Sequence, residues 1–150
     1  MLTVNLIIPD LSATSKKHGL QVIAQQTAPL FHADADALLG ALMDRERIGS
    51  TGIGGGVAIP HIKVDKIQRM YSVLTRLAAP VDYDALDGLP VDLIFMLVAP
   101  VENKTTQHLK TLAFMSRFLK DANNCALLRA CTTREEIQSV LNAWSQGQAA

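Results

Sequence analysis

The stretch from Arg45 to His61 contains the residues best suited to chemistry. Five of the chain's nine glycines fall within it, and it ends on His61 directly behind Pro60. Glycine has no Cβ, so the backbone N–H groups of residues 52–56 can approach a ligand closely and can form a concavity suited to phosphate. Pro60 restricts its own φ and favours extended backbone at Ile59. An imidazole beside an anion-binding loop indicates a phosphorylated histidine.

His61 is the first candidate for the reacting group. Phosphoryl transfer needs a neutral ring with a nitrogen lone pair, which histidine supplies near neutral pH. The second ring nitrogen must then hold a hydrogen-bond partner, usually a backbone carbonyl, so that the tautomer and the ring orientation stay fixed. Residue types alone leave an alternative open, in which His61 caps a strand end and is satisfied by the backbone.

Several segments resemble one protein family. The resemblance is to the phosphorylation-site motif of the IIA components of the bacterial phosphoenolpyruvate-dependent phosphotransferase system, in the mannitol/fructose class and its nitrogen-regulatory type. It extends from about Ser15 to the last helix, so it covers most of the chain. The matching segments are Arg45-Glu46, Ser50–Gly54, Val57–His61, Asp82–Phe95 and His108–Leu112.

The resemblance implies roles for three side chains. His61 would accept a phosphoryl group on Nε2, which makes the protein a phosphotransferase-type enzyme with a transient phosphohistidine and no cofactor. His108, at a helix N-terminus that favours a neutral ring and an anion, would donate a hydrogen bond to the phosphate; otherwise it is an exposed polar residue. Arg45 would hold the phosphate in bidentate fashion and could also be a helix-end cation. Arg47 is the less favoured arginine, and Glu46 is expected to pair locally.

The loop between Arg45 and His61 supplies further candidates for phosphate binding. The hydroxyl groups of Ser50 and Thr51 could donate hydrogen bonds, although turn-forming roles are equally consistent with their types. The backbone of Gly52, Gly54 and Gly55 completes the predicted phosphate-binding set. The chain departs from the family at Ile62, where a glycine commonly follows the histidine. A β-branched residue there should add apolar surface beside the site and alter donor docking.

Composition excludes several classes of function. The 150 residues include 14 basic and 14 acidic side chains, so neither nucleic acid nor an anionic membrane is an expected partner. The N-terminus lacks the features of a signal peptide, and the apolar run 93–100 is too short to span a bilayer, so no membrane insertion is expected. Cys125 and Cys131 fit no metal or redox spacing, which favours a cytoplasmic location.

Hydrophobic periodicity predicts an α+β fold, a three-layer α/β/α sandwich in which helices flank a small mixed β-sheet. The resemblance implies the same fold, with residues 1–150 as a single IIA type-2 domain and residues 146–150 as a frayed tail. The predicted elements are a helix capped at Thr14-Ser15 with an apolar face reaching Phe31, a helix from Asp34 to Gly49, strands at about 56–62, 69–77 and 91–99, a helix from about Thr105 with Leu109 on its apolar stripe, a short helix at 125–130, and a last helix opened by a capping box at 132–135.

The resemblance also implies partners. An HPr-type (NPr) phosphocarrier would be the donor, and regulatory proteins of the potassium-transport or sensor-kinase type would respond to the phosphorylation state. The alternative is a sugar-specific IIA component for fructose or mannitol that passes phosphate to a IIB component. Three other classes are weaker. The glycine spacing fails the dinucleotide-binding pattern, His61 and His108 lack further metal ligands, and a pure interaction module would not need Arg45.

Overall fold

The computed structural model describes residues 4–102 and 106–149, with side chains through Gly147. In this part of the chain, six strands form one mixed sheet and five helices cover its two faces, which confirms the three-layer α+β fold. The elements in chain order are β1 Leu6–Leu11, α1 Lys16–Thr27, α2 Ala35–Ile48, β2 Gly52–Gly54, β3 Val57–Ala58, β4 His61–Val64, β5 Tyr71–Val81, β6 Val91–Pro100, α3 Gln107–Lys120, α4 Ala122–Ala130 and α5 Arg134–Ala149.

The sheet is built around β6, which is apolar on both faces as the sequence predicts for a central strand. The strand order is β1-β5-β6-β3-β2, and β4 also pairs with β6. The strand predicted at 56–62 is two strands, because the chain breaks its pairing around Pro60. Both pieces run parallel to β6, with Val57 opposite Leu93 and His61 opposite Leu97.

Strand β1 was not predicted from the sequence. This strand pairs in parallel with β5, with Leu6 opposite Val73, at one end of the strand order. Pro9 weakens the strand signal, but proline is tolerated on an edge strand because the missing N–H can face away from the sheet. The N-terminal segment therefore begins the sheet.

Two hydrophobic cores fill the space between the layers. The helices α1 and α2 cover one face of the sheet, where Ile62 and Tyr83 are buried, and α3, α4 and α5 cover the other, where Ile59 and Leu97 are buried. None of the described helices combines the length and apolar composition that a membrane crossing requires.

Helix ends show where the sequence signals were accurate. Ser15 and Asp34 cap α1 and α2 through side-chain oxygens, and Gly49 follows α2, as predicted. The first helix ends earlier than expected, at Thr27, and Phe31 is buried from the turn beyond it. Thr105 lies outside the described residues.

The last helix differs from its prediction at both ends. The capping box lies one residue later than predicted, because Thr133 Oγ1 accepts from the Glu136 N–H while Glu136 Oε1 accepts from the Thr133 N–H. Helix α5 continues through Ala149, which corrects the expected frayed tail from Gln146; Ala150 lies outside the described residues.

Candidate functional site

A cavity of about 360 Å³ brings together the three side chains that the sequence analysis placed first. His61 opens β4, Arg45 lies in the last turn of α2, and His108 lies in the first turn of α3. The cavity is therefore formed beside the start of β4, between the end of α2 and the start of α3. Its lining consists of Arg45, His61, Ile62, Lys63, Leu97, Ala99, His108, Leu109 and Leu112.

The imidazole of His61 is held by the backbone just before it. Its Nδ1 atom lies 3.1 Å from the carbonyl oxygen of Ile59. A carbonyl oxygen can only accept, so Nδ1 must carry the hydrogen in this contact. In the neutral ring, the lone pair is then on Nε2. This is the tautomer that an Nε2 phosphoryl acceptor requires, and the side chain is solvent-exposed.

Arg45 closes the end of its own helix and also lines the cavity. Its Nη1 atom donates to the carbonyl oxygen of Gly49 at 2.8 Å, so it satisfies a backbone acceptor at the C-terminus of α2. The two roles proposed for this arginine are therefore compatible. Arg47, the less favoured candidate, forms an exposed ion pair with Asp44 and does not line the cavity.

His108 is partly buried and is the second residue of α3. Thr106, which occupies the N-cap position of α3, makes no side-chain capping hydrogen bond. The N-terminus of α3 thus adjoins the cavity with its positive dipole end, which favours an anion there.

Five further lining residues were not selected as site residues from the sequence: Lys63, Leu97, Ala99, Leu109 and Leu112. Lys63 follows His61 by two positions on β4, so its side chain lies on the same face, a relationship that the strand period could have revealed. Leu109 was predicted to face the core, yet it is 54% exposed because it lies in the first turn of α3 at the cavity rim. Lys63 thus adds a cation that was not predicted at the site, and Leu109 adds an exposed apolar group.

Ile62 adds little exposed apolar surface beside His61, although it is one of the residues that line the cavity, so its effect is smaller than predicted. Its side chain is only 9% exposed and packs into the core beneath α1 and α2, because alternate residues of β4 face opposite sides of the sheet. The exposed apolar group at the cavity is Leu109.

The glycine loop is a hairpin turn away from His61. Gly54 and Gly55 have φ angles of +102° and +65°, which suit the turn that joins β2 to β3. The Gly55 N–H donates to Asp87 Oδ2 at 2.9 Å, and its carbonyl accepts from Arg129 Nη2 at 2.7 Å. Neither glycine lines the cavity. The backbone of Gly55 is thus engaged by other residues, and phosphate binding by Gly54 and Gly55 stays a prediction.

The distance of this turn from His61 follows from the register with β6. Val57, at the end of the turn, is opposite Leu93, whereas His61 is opposite Leu97. Four residues of strand correspond to about 13 Å. The glycine turn and the imidazole therefore lie at different ends of the paired segment.

The other predicted phosphate-binding residues, Ser50, Thr51 and Gly52, make hydrogen bonds or close contacts within the protein. Ser50 Oγ donates to the carbonyl of Tyr83 at 2.9 Å and accepts from the Gly52 N–H at 3.1 Å. A Cβ at Gly52 would lie 2.8 Å from the Cβ of Ala85, so glycine is needed for close approach. Thr51 is buried, with its hydroxyl 2.6 Å from Glu46 Oε2. None of the three lines the cavity, and their contact with phosphate stays a prediction.

A family model described as "Phosphoenolpyruvate-dependent sugar phosphotransferase system, EIIA 2" matches residues 1–144. The chain belongs to the EIIA 2 family. This agrees with the resemblance of the Arg45–His61 stretch.

Several relatives of this EIIA protein are named nitrogen regulatory proteins. One from Bradyrhizobium diazoefficiens is 42% identical over 135 residues, which cover 90% of this chain and 88% of the relative. One from Pseudomonas aeruginosa is 38% identical and covers 99% of this chain and 96% of the relative. The crystal structure of nitrogen regulatory protein IIA-Ntr from Neisseria meningitidis has a TM-score of 0.83 at 31% identity, covering 91% and 92% of the two chains. The chain is thus similar to the nitrogen-regulatory type.

Glu46 of this EIIA protein pairs locally, as predicted. Its Oε1 atom lies 2.9 Å from Lys16 Nζ, and the pair is largely buried. Lys16 also lies 4.4 Å from the ring centroid of Tyr83, whose hydroxyl contacts Thr51. Burial, as the main cause, raises the pKa of Tyr83 far above its ordinary value, so the phenol stays protonated. The cluster anchors α1, α2 and the start of β2 to one another.

The described residues contain no group of three or more His, Cys, Asp or Glu side chains that could hold a metal ion. The cavity instead presents a nucleophilic imidazole, a guanidinium and a helix N-terminus around one space. This combination suits transfer of a phosphoryl group to nitrogen.

Proposed function

We propose that this EIIA protein is a phosphocarrier in which Nε2 of His61 accepts a phosphoryl group from an HPr-type (NPr) carrier. The observation that carries the proposal is the hydrogen bond from His61 Nδ1 to the Ile59 carbonyl, which leaves the lone pair on Nε2 within the cavity. Family membership supports phosphoryl transfer as the chemistry.

The transfer step exchanges one phosphorus–nitrogen bond for another. The Nε2 lone pair of His61 attacks the phosphorus of a phosphohistidine on the carrier protein. The bond to the donor nitrogen breaks, and its electron pair returns to the donor imidazole. The Nδ1 proton of His61 stays on its ring and keeps the bond to Ile59, so no general base is required. Glu46, buried against Lys16, accordingly has no proton to abstract.

Positive groups around the cavity would stabilise the charge of the transferring phosphoryl. Arg45 supplies a guanidinium that always remains charged and can bind two oxygens. Lys63 adds an ammonium from the same strand face as His61, and a neutral His108 would donate a hydrogen bond. Phosphoryl transfer is catalysed mainly by positioning and by electrostatic stabilisation, and these groups would supply both.

The output that we propose is regulatory. A phosphoryl group adds about two negative charges at neutral pH, whereas the whole chain has a formal net charge of zero. The change would fall beside exposed Leu109, an apolar contact available to a partner in the unphosphorylated form. Targets of the potassium-transport or sensor-kinase type would then distinguish the two forms. The names of the two nitrogen regulatory relatives described above favour this output over transfer to a sugar-specific IIB component.

The experiment is phosphorylation in a reconstituted phosphotransferase chain, with phosphoenolpyruvate, enzyme I and the NPr-type carrier. The expected product carries one added phosphoryl mass, which is absent from His61→Ala. His18→Ala is the matched control, because His18 is engaged at the start of α1 and does not line the cavity. It should accept phosphate like the wild type. Phosphorylation of the His61→Ala variant would contradict the proposal. Adding fructose- or mannitol-type IIB proteins tests the alternative, which predicts rapid loss of the phosphoryl group to them.

A further inference from the structure

A continuous set of hydrogen bonds connects the buried carboxylate of Glu46 to the imidazole of His61. Glu46 Oε1 accepts from the Thr51 N–H at 3.0 Å, and Oε2 accepts from the Thr51 hydroxyl at 2.6 Å. The carbonyl of Thr51 accepts from the Ile59 N–H at 3.0 Å. The carbonyl of Ile59 accepts from His61 Nδ1 at 3.1 Å. The hydrogen bonds thus connect Glu46 to Thr51, Thr51 to Ile59, and Ile59 to His61.

The start of this set is fixed from several sides. The Glu46 side chain is 3% exposed, so water cannot replace its partners easily. Lys16 Nζ neutralises the carboxylate from α1 at 2.9 Å and also donates to the carbonyl of Tyr83 at 3.2 Å. The Tyr83 hydroxyl lies 3.2 Å from Thr51 Oγ1. Thr51 is therefore held through both its backbone and its side chain.

We propose that Glu46 and Thr51 are positioning residues for the reaction at His61, an inference that rests on the proposed function. Neither residue lines the cavity, so neither would touch the phosphoryl group. They act through the peptide of Ile59, whose carbonyl sets the direction of the Nδ1–H bond and thereby the tautomer and the direction of Nε2. Tight orientation of a reacting group accelerates transfer, and small misplacements are costly.

The Glu46 carboxylate also restrains the last turn of α2, which carries Arg45. Glu46 directly follows Arg45 in the last turn of α2. Holding Glu46 to Thr51 ties that turn to the segment that leads into β2. One buried clamp, which we define as Lys16, Glu46 and Thr51, thus restrains both the turn that carries Arg45 and the segment bonded to Ile59.

If the clamp were purely structural, breaking it would lower the stability of the protein. The tautomer of the His61 ring would then be unchanged in the molecules that remain folded. The variant Thr51→Val removes the hydroxyl with little change in shape. The matched control is Thr27→Val, because Thr27 is also a buried threonine and its hydroxyl donates to the Ile23 carbonyl within α1, outside the clamp. Thr51→Ser restores a hydroxyl and serves as the rescue.

The first measurement is of the ¹⁵N chemical shifts of the His61 ring nitrogens, at a pH high enough for the ring to be neutral. Wild type, Thr27→Val and Thr51→Ser should show the Nδ1–H tautomer, whereas Thr51→Val should show a mixture with the Nε2–H form. The second measurement is phosphoryl transfer from the NPr-type carrier. Thr51→Val should lower the rate at saturating donor about tenfold or more, with little change in KM.

The inference is overturned if Thr51→Val matches Thr27→Val in both the tautomer and the transfer rate. If Thr51→Val does not fold, the double variant Lys16→Met with Glu46→Gln removes both buried charges together, and the same shift and rate loss are expected of it. The tautomer measurement requires no donor. A wild-type protein that accepts no phosphoryl group would therefore defeat the proposed function, while the ¹⁵N comparison would still decide the positioning role.

Discussion

Arg45 and His61 line the same cavity although they come from opposite sides of the sheet. Arg45 belongs to α2, which packs on the face where Ile62 is buried. His61 precedes Ile62 on β4, so its side chain lies on the other face. Arg45 thus reaches the cavity from the α2 side of the sheet, whereas His61 enters it from the other side.

Arg45→Lys should slow phosphorylation of His61 about tenfold or more, because a lysine cannot reproduce the bidentate fork. The free energy of unfolding should fall by less than about 0.3–1 kcal/mol, the value of a helix-end cation, because the lysine keeps the positive charge. Arg47→Lys is the control at the same helix end, since Arg47 does not line the cavity. Transfer kinetics measured on both variants decide the role. Equal rates would leave Arg45 as a helix-end charge alone.

Gly55→Ala should leave transfer at His61 unchanged, because the β2–β3 turn does not line the cavity. Its added Cβ meets no atom within 4 Å, but the φ of +65° is strained for alanine and should cost about 1–2 kcal/mol. Gly56→Ala should cost more, since its Cβ would displace the Arg129 guanidinium that pairs with Asp92 at 2.9 Å. Thermal unfolding and transfer rates test this. A large rate loss in stably folded Gly55→Ala would instead support the phosphate-binding role that was predicted for the loop.

Asp87 should make stability depend on pH in the acid range. Its carboxylate accepts from the Gly55 N–H and the Leu89 N–H, and these hydrogen bonds hold the pKa of Asp87 below its ordinary value. A depressed folded-state pKa contributes stability that is present above the unfolded pKa of about 4 and is lost as pH falls through the folded value. The stability difference between wild type and Asp87→Asn should therefore shrink on acidification. Denaturant unfolding between neutral pH and about pH 2 tests it; a constant difference would contradict the account.

Binding of a regulatory target should depend on the charge at His61. His61→Ala should bind such a target like the unphosphorylated protein, because both lack the added negative charge. His61→Asp should imitate the phosphorylated form only in part, since one carboxylate has less charge and reach than a phosphoryl group. Titration of a candidate target against both variants and the phosphorylated protein tests this. Equal affinity in all three would show that the site does not control that partner.

Much of the fold followed from local signals. The caps at Ser15 and Asp34 and the apolar run of β6 predicted elements that the structure contains, because these features act within a few residues. The edge strand β1 was missed because Pro9 weakens its pattern and its pairing partner is more than 60 residues away. The capping box was placed one residue early because two threonines, Thr132 and Thr133, precede α5.

The candidate site was predicted unevenly for a physical reason. Arg45, His61 and His108 have side chains whose chemistry identifies them, and the cavity brings them together. Glycines signal only that the backbone turns or approaches something closely, which fits a hairpin as well as an anion site. What Gly55 approaches is decided by Asp87 and Arg129, which are distant in sequence. The clamp of Lys16, Glu46 and Thr51 likewise depends on three separated segments.

The central claim concerns one atom, Nε2 of His61. The most direct measurement is ³¹P and ¹⁵N NMR of the ¹⁵N-histidine-labelled protein after phosphorylation by the NPr-type carrier, together with the chemical lability of the group. The account predicts an acid-labile, alkali-stable phosphoryl group on Nε2 of His61, with Nδ1 still protonated and bonded to the Ile59 carbonyl. A phosphoryl group on Nδ1, or an acid-stable one on Ser50 or Thr51, would contradict it.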